Sequence, residues 1–168
     1  MTDKMHHWLN LATGLAVILG MVFLAFEIRQ NTEMMRSQTR DSISEKQMMF
    51  SEWVATEIDL AAAIAKANAG EMLAPDEGVM YAYFLAGVWR EWENSYYQFQ
   101  RELFDRDEFE PRLQRWRASM RTDLARVNWL ATRQNYAPAF RAVVDEIVAE
   151  YPVPAELRDD RVDETAVP

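Results

Sequence analysis

The sequence has no cysteine. Disulfides, thiolate metal sites, iron–sulfur clusters and a cysteine nucleophile are therefore excluded. Histidine is almost as scarce: His6 and His7 are the only two. As neighbours on a helix they point to different sides, which suits neither a metal site nor His-based acid–base catalysis. Carboxylate-bridged di-metal sites use Glu-x-x-His pairs on facing helices, and no such pair occurs. Glycine-rich phosphate loops of the G-x-x-x-x-G-K type are missing, and the serine of "NSYYQ", Ser95, has no histidine partner in reach. From these absences we expect no catalytic residue, no cofactor and no metal. Five glycines and six prolines are few, and Val, Ile and Thr do not fall into alternating runs, so sheets are disfavoured. Positive charge is also short: the formal net charge of −9 argues against nucleic-acid binding by the whole chain.

The residues that are present favour helix. Met, Ala, Leu, Glu, Arg and Gln abound, and all are good helix formers. Six Trp, six Tyr and eight Phe promise an aromatic core. At 168 residues the chain suits one soluble domain plus an extra element.

The extra element is a membrane span. Leu9 to Phe26 is eighteen residues without a charge, roughly 27 Å as a helix and close to the hydrocarbon thickness of a bilayer. Trp8 stands where an interfacial aromatic would. A cleaved signal would end in small residues; here the run ends in bulky Phe26 and charged Glu27. We expect a retained anchor over residues 9–28, preceded by a flank over 1–8. Lys4 lies on one side, and Arg29, Arg36, Arg40 and Lys46 on the other. The positive-inside rule then puts the N-terminus outside and the larger part in the cytoplasm. Ala12, Ala16 and Gly20 recur every four residues, within about 80° on one face. Small residues at this spacing let membrane helices approach closely.

No glycine, proline or cap separates the span from the polar residues that come after it. Ile28, Met35, Ile43, Phe50, Trp53 and Val54 continue an apolar stripe in a sector about 100° wide. We expect the anchor to run on as the first helix of a bundle over 29–151. It is a poor coiled coil alone, since Gln38, Ser42 and Glu45 fall on the seam. A short Ala-rich helix should end at Gly70. The next starts at Pro75, with Asp76 and Glu77 in its first turn. It should run to about Leu103, carrying Tyr81, Leu85, Val88, Trp92, Tyr96, Phe99 and Leu103 as the central helix. Phe109, Leu113, Trp116 and Met120 mark another helix. "TDLARVNWLATRQ" is a short one, and "YAPAFRAVVDEIVAEY" is the last, with Pro138 in its first turn. Residues 152–168 read as a flexible acidic tail. The fold class is all-α: a transmembrane helix continuing into a bundle of about five to six helices.

"FEIRQNTEMMRSQTR" together with "WENSYYQFQRELFD" resembles a family of uncharacterised bacterial membrane proteins. Their features are similar to an R-Q-N-T exit from the membrane, a central W-E-N-x-Y-Y-Q helix and a late segment like "FRAVVDEIV". The resemblance covers about residues 9–150. It implies a single-pass protein of the bacterial inner membrane and carries no known chemistry. Ala74 departs from the Ser, Thr or Asp expected before Pro75.

Two constellations remain. On the central helix Arg90, Glu93, Asn94 and Tyr97 stand three or four apart, as either a polar site or a hydrogen-bond network that fixes helix register. Glu91 and Glu93 face different sides and form no carboxylate pair. Arg112, Arg115, Arg117, Arg121 and Arg126 face one acid, Asp123, in fifteen residues. This basic surface is a solvated face, a leaflet contact or a partner contact. Three functions stay open. The first is a non-enzymatic anchored module acting by self-assembly or as a subunit of a membrane complex. The second is a sensor or regulator taking a small apolar ligand or lipid between aromatic helices. The third is an enzyme built on Glu, Arg, Tyr and Asn. Expected partners are the bilayer and a copy of itself or another membrane protein, with no nucleic acid.

Overall fold

A computed structural model describes residues 2–152 and Pro154. It is all-α: α1 (Thr2–Thr56), α2 (Ile58–Ala69), α3 (Pro75–Gln100), α4 (Arg106–Ser119), α5 (Asp123–Thr132) and α6 (Pro138–Ala149), with a short 3₁₀ turn at Arg133–Asn135. There is no strand among the described residues. The tail expected over 152–168 lies outside them except for Pro152 and Pro154.

The chain divides into two compact units, with the boundary between Arg40 and Asp41 inside α1. The first unit is helix alone. It holds the apolar part of α1, the one helix among the described residues that is long and apolar enough to cross a membrane. A core helix of a soluble protein would be mostly buried; none of the apolar window is. The Thr13 hydroxyl donates to the Leu9 carbonyl at 2.9 Å, so this polar group is satisfied within the helix.

In the second unit α1 contributes Ile43, which is buried, and Phe50 and Val54, which are half-buried. The expected stripe is therefore narrower than its pattern. Trp53 remains exposed, and Ile28 and Met35 are exposed residues of the first unit. α2 buries Leu60, Ala63 and Ala67 on one face. It ends as expected at Gly70, whose φ of 74° lets its N–H reach the Ala67 carbonyl while Glu71 N–H reaches Lys66. α3 starts without a capping side chain at Ala74. The Glu77 carboxylate compensates by accepting from Ala74 N–H at 2.9 Å, and it also takes the Lys66 ammonium of α2.

α3 is the central helix. Tyr81, Leu85, Trp89 and Trp92 are buried on it. It stops at Gln100, not at Leu103 as expected. Glu102 adopts φ 58°, and the Leu103 N–H turns back to the Gln98 carbonyl. This is the same closing motif as at Gly70, here without glycine.

The core is aromatic. Trp89 meets the edges of Trp92 at 4.7 Å and Trp129 at 5.9 Å. Trp92 stacks on Trp116 at 4.8 Å, and Phe140 sits against Trp116 and Trp129. Two of the buried indoles have an acceptor: Trp89 donates to Asn128 at 2.9 Å and Trp129 to Asp145 at 2.8 Å. At Gly87 a side chain would press within 3.1 Å of the Phe50 ring, so glycine lets the end of α1 lie close on α3.

Burial pushes the Tyr81 phenol up to about 12, and burial also raises Tyr136, against the opposing charge of Arg90. Below the ordinary tyrosine value of about 10 both states stay protonated and stability is unaffected. Between about 10 and 12 the unfolded chain ionises first, unfolding releases protons, and stability falls as pH rises. Denaturant melts across this window should show that loss, and Tyr81→Phe should make the slope shallower.

Candidate functional site

A groove of about 700 Å³ opens between the end of α1, the middle of α3 and the start of α6. Lys46, Met49, Phe50 and Trp53 come from α1; Gly87, Arg90, Glu91, Glu93, Asn94, Tyr96, Tyr97 and Gln100 from α3; Ala139 and Phe140 from α6, with Ala137 just before it. The helical period accounts for the α1 wall, because Lys46, Met49, Phe50 and Trp53 fall three or four apart. Trp53 and Tyr97 remain 43% and 51% exposed, so the lining presents aromatic surface to solvent.

The four residues of the expected central network all line this groove, but they do not form one network. Glu93 accepts from the Arg90 guanidinium and, at 2.7 Å, from the N–H of Ala137. Ala137 is the N-cap of α6, so a carboxylate of α3 fixes where α6 begins. Arg90 also lies 4.7 Å over the Tyr136 ring. The Asn94 side chain makes no hydrogen bond to the described residues. Tyr97 lies under Arg101 at 5.2 Å and does not join Glu93.

The expected basic surface is corrected by the structure. Arg112 and Arg126 are buried. Arg126 donates to the Met120 carbonyl at 2.7 Å and to Asp123. Arg117 pairs with Glu150 at 3.1 Å. Arg115 and Arg121 are exposed. α4, the turn after it and α5 send the five side chains in different directions, so no single basic face results.

Arg112 leads to a residue that the sequence pattern does not single out. Glu91 is buried and accepts from Arg112 and from the Ser95 hydroxyl at 2.9 Å. The Gln47 side-chain amide of α1 abuts the same guanidinium. Burial lowers the Arg112 pKa, and the Glu91 charge opposes that shift. A signal for this pair existed: Arg112 is three residues after Phe109 and four before Trp116, on the buried face of α4. A smaller pocket of about 170 Å³ beside the pair is lined by Gln47, Ser51, Arg112, Arg115 and Ser119; Phe50 and Glu91 line both cavities.

Among the described residues no three His, Cys, Asp or Glu side chains converge as metal ligands. Ala12, Ala16 and Gly20 are exposed on the first unit. No protein-family model matches the chain, and no curated protein or solved structure proves similar to it.

Removing one member of a buried pair strands the other charge, at a cost of about 3–5 kcal/mol. Arg112→Met should show such a loss in urea unfolding of the full chain, whereas Glu91→Leu with Arg112→Met should restore most of it. Equal losses in both would mean that packing, not charge, sets the cost. Glu93→Ala removes the acceptor at the start of α6 and should cost about 1–2 kcal/mol, read in the same melts.

Proposed function

We propose that the chain is a membrane-anchored helical module without catalysis of its own, acting by self-assembly or as a subunit of a membrane complex. The observation that carries this reading is the first unit: a single helix whose apolar span is wholly exposed. Ala12, Ala16 and Gly20 share one face of it, and a side chain added at Gly20 would meet nothing within 4 Å. In lipid, such a face admits a second helix at close range. The bilayer and a copy of the chain or another membrane protein are then the partners, and nucleic acid is not. The excess of arginine after the span supports an N-terminus outside and a cytoplasmic bundle. The resemblance of the R-Q-N-T and W-E-N-x-Y-Y-Q segments supports a bacterial inner-membrane protein. A second reading is favoured by the groove: a regulator that takes a small apolar ligand or lipid between its aromatic helices.

Native mass spectrometry of the full chain released from its membranes tests the first reading. Ala16→Leu with Gly20→Leu should reduce the assembly to a lower mass; an unchanged mass removes the membrane helix from the interface. The lack of cysteine makes topology simple to check. Gln114→Cys should react with an impermeant maleimide only after the membrane is opened, and labelling of intact cells would reverse the orientation.

A further inference from the structure

We propose that the groove between α1, α3 and α6 binds a single-chain anionic amphiphile, with its acyl chain against Met49, Phe50, Trp53 and Phe140 and its carboxylate or phosphate at Lys46. The proposal rests on the regulator reading and names its ligand class.

The volume, about 700 Å³, falls within the range of roughly 300–1,000 Å³ typical of small-molecule sites. Its aromatic lining is a solvent-facing apolar patch on a bundle that already has a complete aromatic core. Contiguous apolar surface of this kind marks a binding site more often than chance exposure.

The polar groups of the groove decide the sign of the ligand. Both lining carboxylates are already matched. Glu93 holds Arg90 and the Ala137 N–H, and Glu91 holds Arg112 and Ser95. Neither is left to receive a cationic head. Lys46, by contrast, lines the groove and has no ion pair among the described residues. Asn94 brings an amide with unused donors. The unmatched groups are thus one cation and one amide, beside an apolar floor. That combination is complementary to an acyl chain ending in an anion.

Fatty-acid carboxylates and lysophospholipid phosphates share this chemistry, and one experiment separates them. The full chain is placed in nanodiscs of zwitterionic lipid and titrated with three brominated probes: a dibrominated stearate, a lysophosphatidylglycerol with the same tail, and the corresponding alcohol. Bromine quenches tryptophan on contact, and Trp53→Phe isolates the signal of the groove. Saturable Trp53 quenching by either anionic probe is expected, and the tighter probe identifies the head group. The alcohol should bind about ten-fold more weakly or worse, and Lys46→Glu should cost a similar factor. Ala139→Phe, which fills the groove from an exposed position without adding a second indole, should abolish the saturable signal while leaving the melting temperature in place.

Equal affinity for the alcohol and the acid, or an unchanged affinity in Lys46→Glu, overturns the anionic head and leaves an apolar ligand site standing. No Trp53-dependent quenching by any probe overturns the proposal and the regulator reading together. Shielding of Trp53 from acrylamide that grows with the number of chains per disc makes a second copy the occupant and overturns the amphiphile.

Discussion

Trp89 is wholly buried between two other tryptophans, and the second unit takes its geometry from that contact. Its neighbours are Trp92 on its own helix and Trp129 on α5. Trp92 carries the stack on to Trp116 of α4, and Phe140 of α6 closes the ring against Trp116 and Trp129. Rings of this size fill space in few ways, so a shift of one helix by a fraction of a turn would open a void beside several of them. The hydrogen bonds from the Trp89 and Trp129 indoles to Asn128 and Asp145 narrow the choice further. An indole rotated out of place would bury an unpartnered N–H. Apolar packing therefore supplies the cohesion, and two indole hydrogen bonds supply the register.

The paired charges act around that ring and not within it. Glu91 and Arg112 join α3 to α4, Glu93 joins α3 to the start of α6, and Arg126 ties α5 to the segment after α6 through the Pro152 carbonyl. A buried ion pair adds little net stability over apolar groups of the same shape, but half of one is costly. Such pairs select one arrangement by penalising the others. The consequence for the groove is direct: each of its carboxylates is engaged in holding two helices together, so the charge left unmatched at its surface is positive. The structural network and the unmatched Lys46 are two aspects of one arrangement.

Helix identity was legible in the sequence because it depends on local signals. Gly70 and Pro75 bracket a turn, Pro138 opens α6, and the spacing of Tyr81, Leu85 and Trp92 marks the buried face of α3. The end of α3 was not legible because Glu102, and not glycine, takes the left-handed position. Composition carries no mark of a strained residue held by two backbone bonds. The burial of Arg112 and Arg126 was hidden for another reason. A run of arginines looks like surface unless each is placed on its helix face and given a partner, and the partner Glu91 lies 21 residues away in sequence. The groove was half legible. Its polar wall was visible as Arg90, Glu93 and Asn94, but its α1 wall depends on Gly87 admitting Phe50, which is a contact between helices.

The length of α1 reflects the needs of its two ends. Its apolar part is long enough to cross a membrane; hydrocarbon offers no hydrogen bonds, and an unbroken helix is a form that satisfies every backbone group internally there. Its last turns must present Ile43 and Phe50 to the core on one face. Residues 29–40 between them are mostly polar and have no buried residue among them, and a separate helix of about twelve residues would be marginal in water. As the middle of α1 they need no nucleation of their own, since helix already exists on both sides. A glycine there would weaken the helix and a proline would break it, and either would bring the nucleation cost back. The sequence from Ile28 to Phe50 contains neither residue, and this is how the chain keeps 55 residues in a single helix.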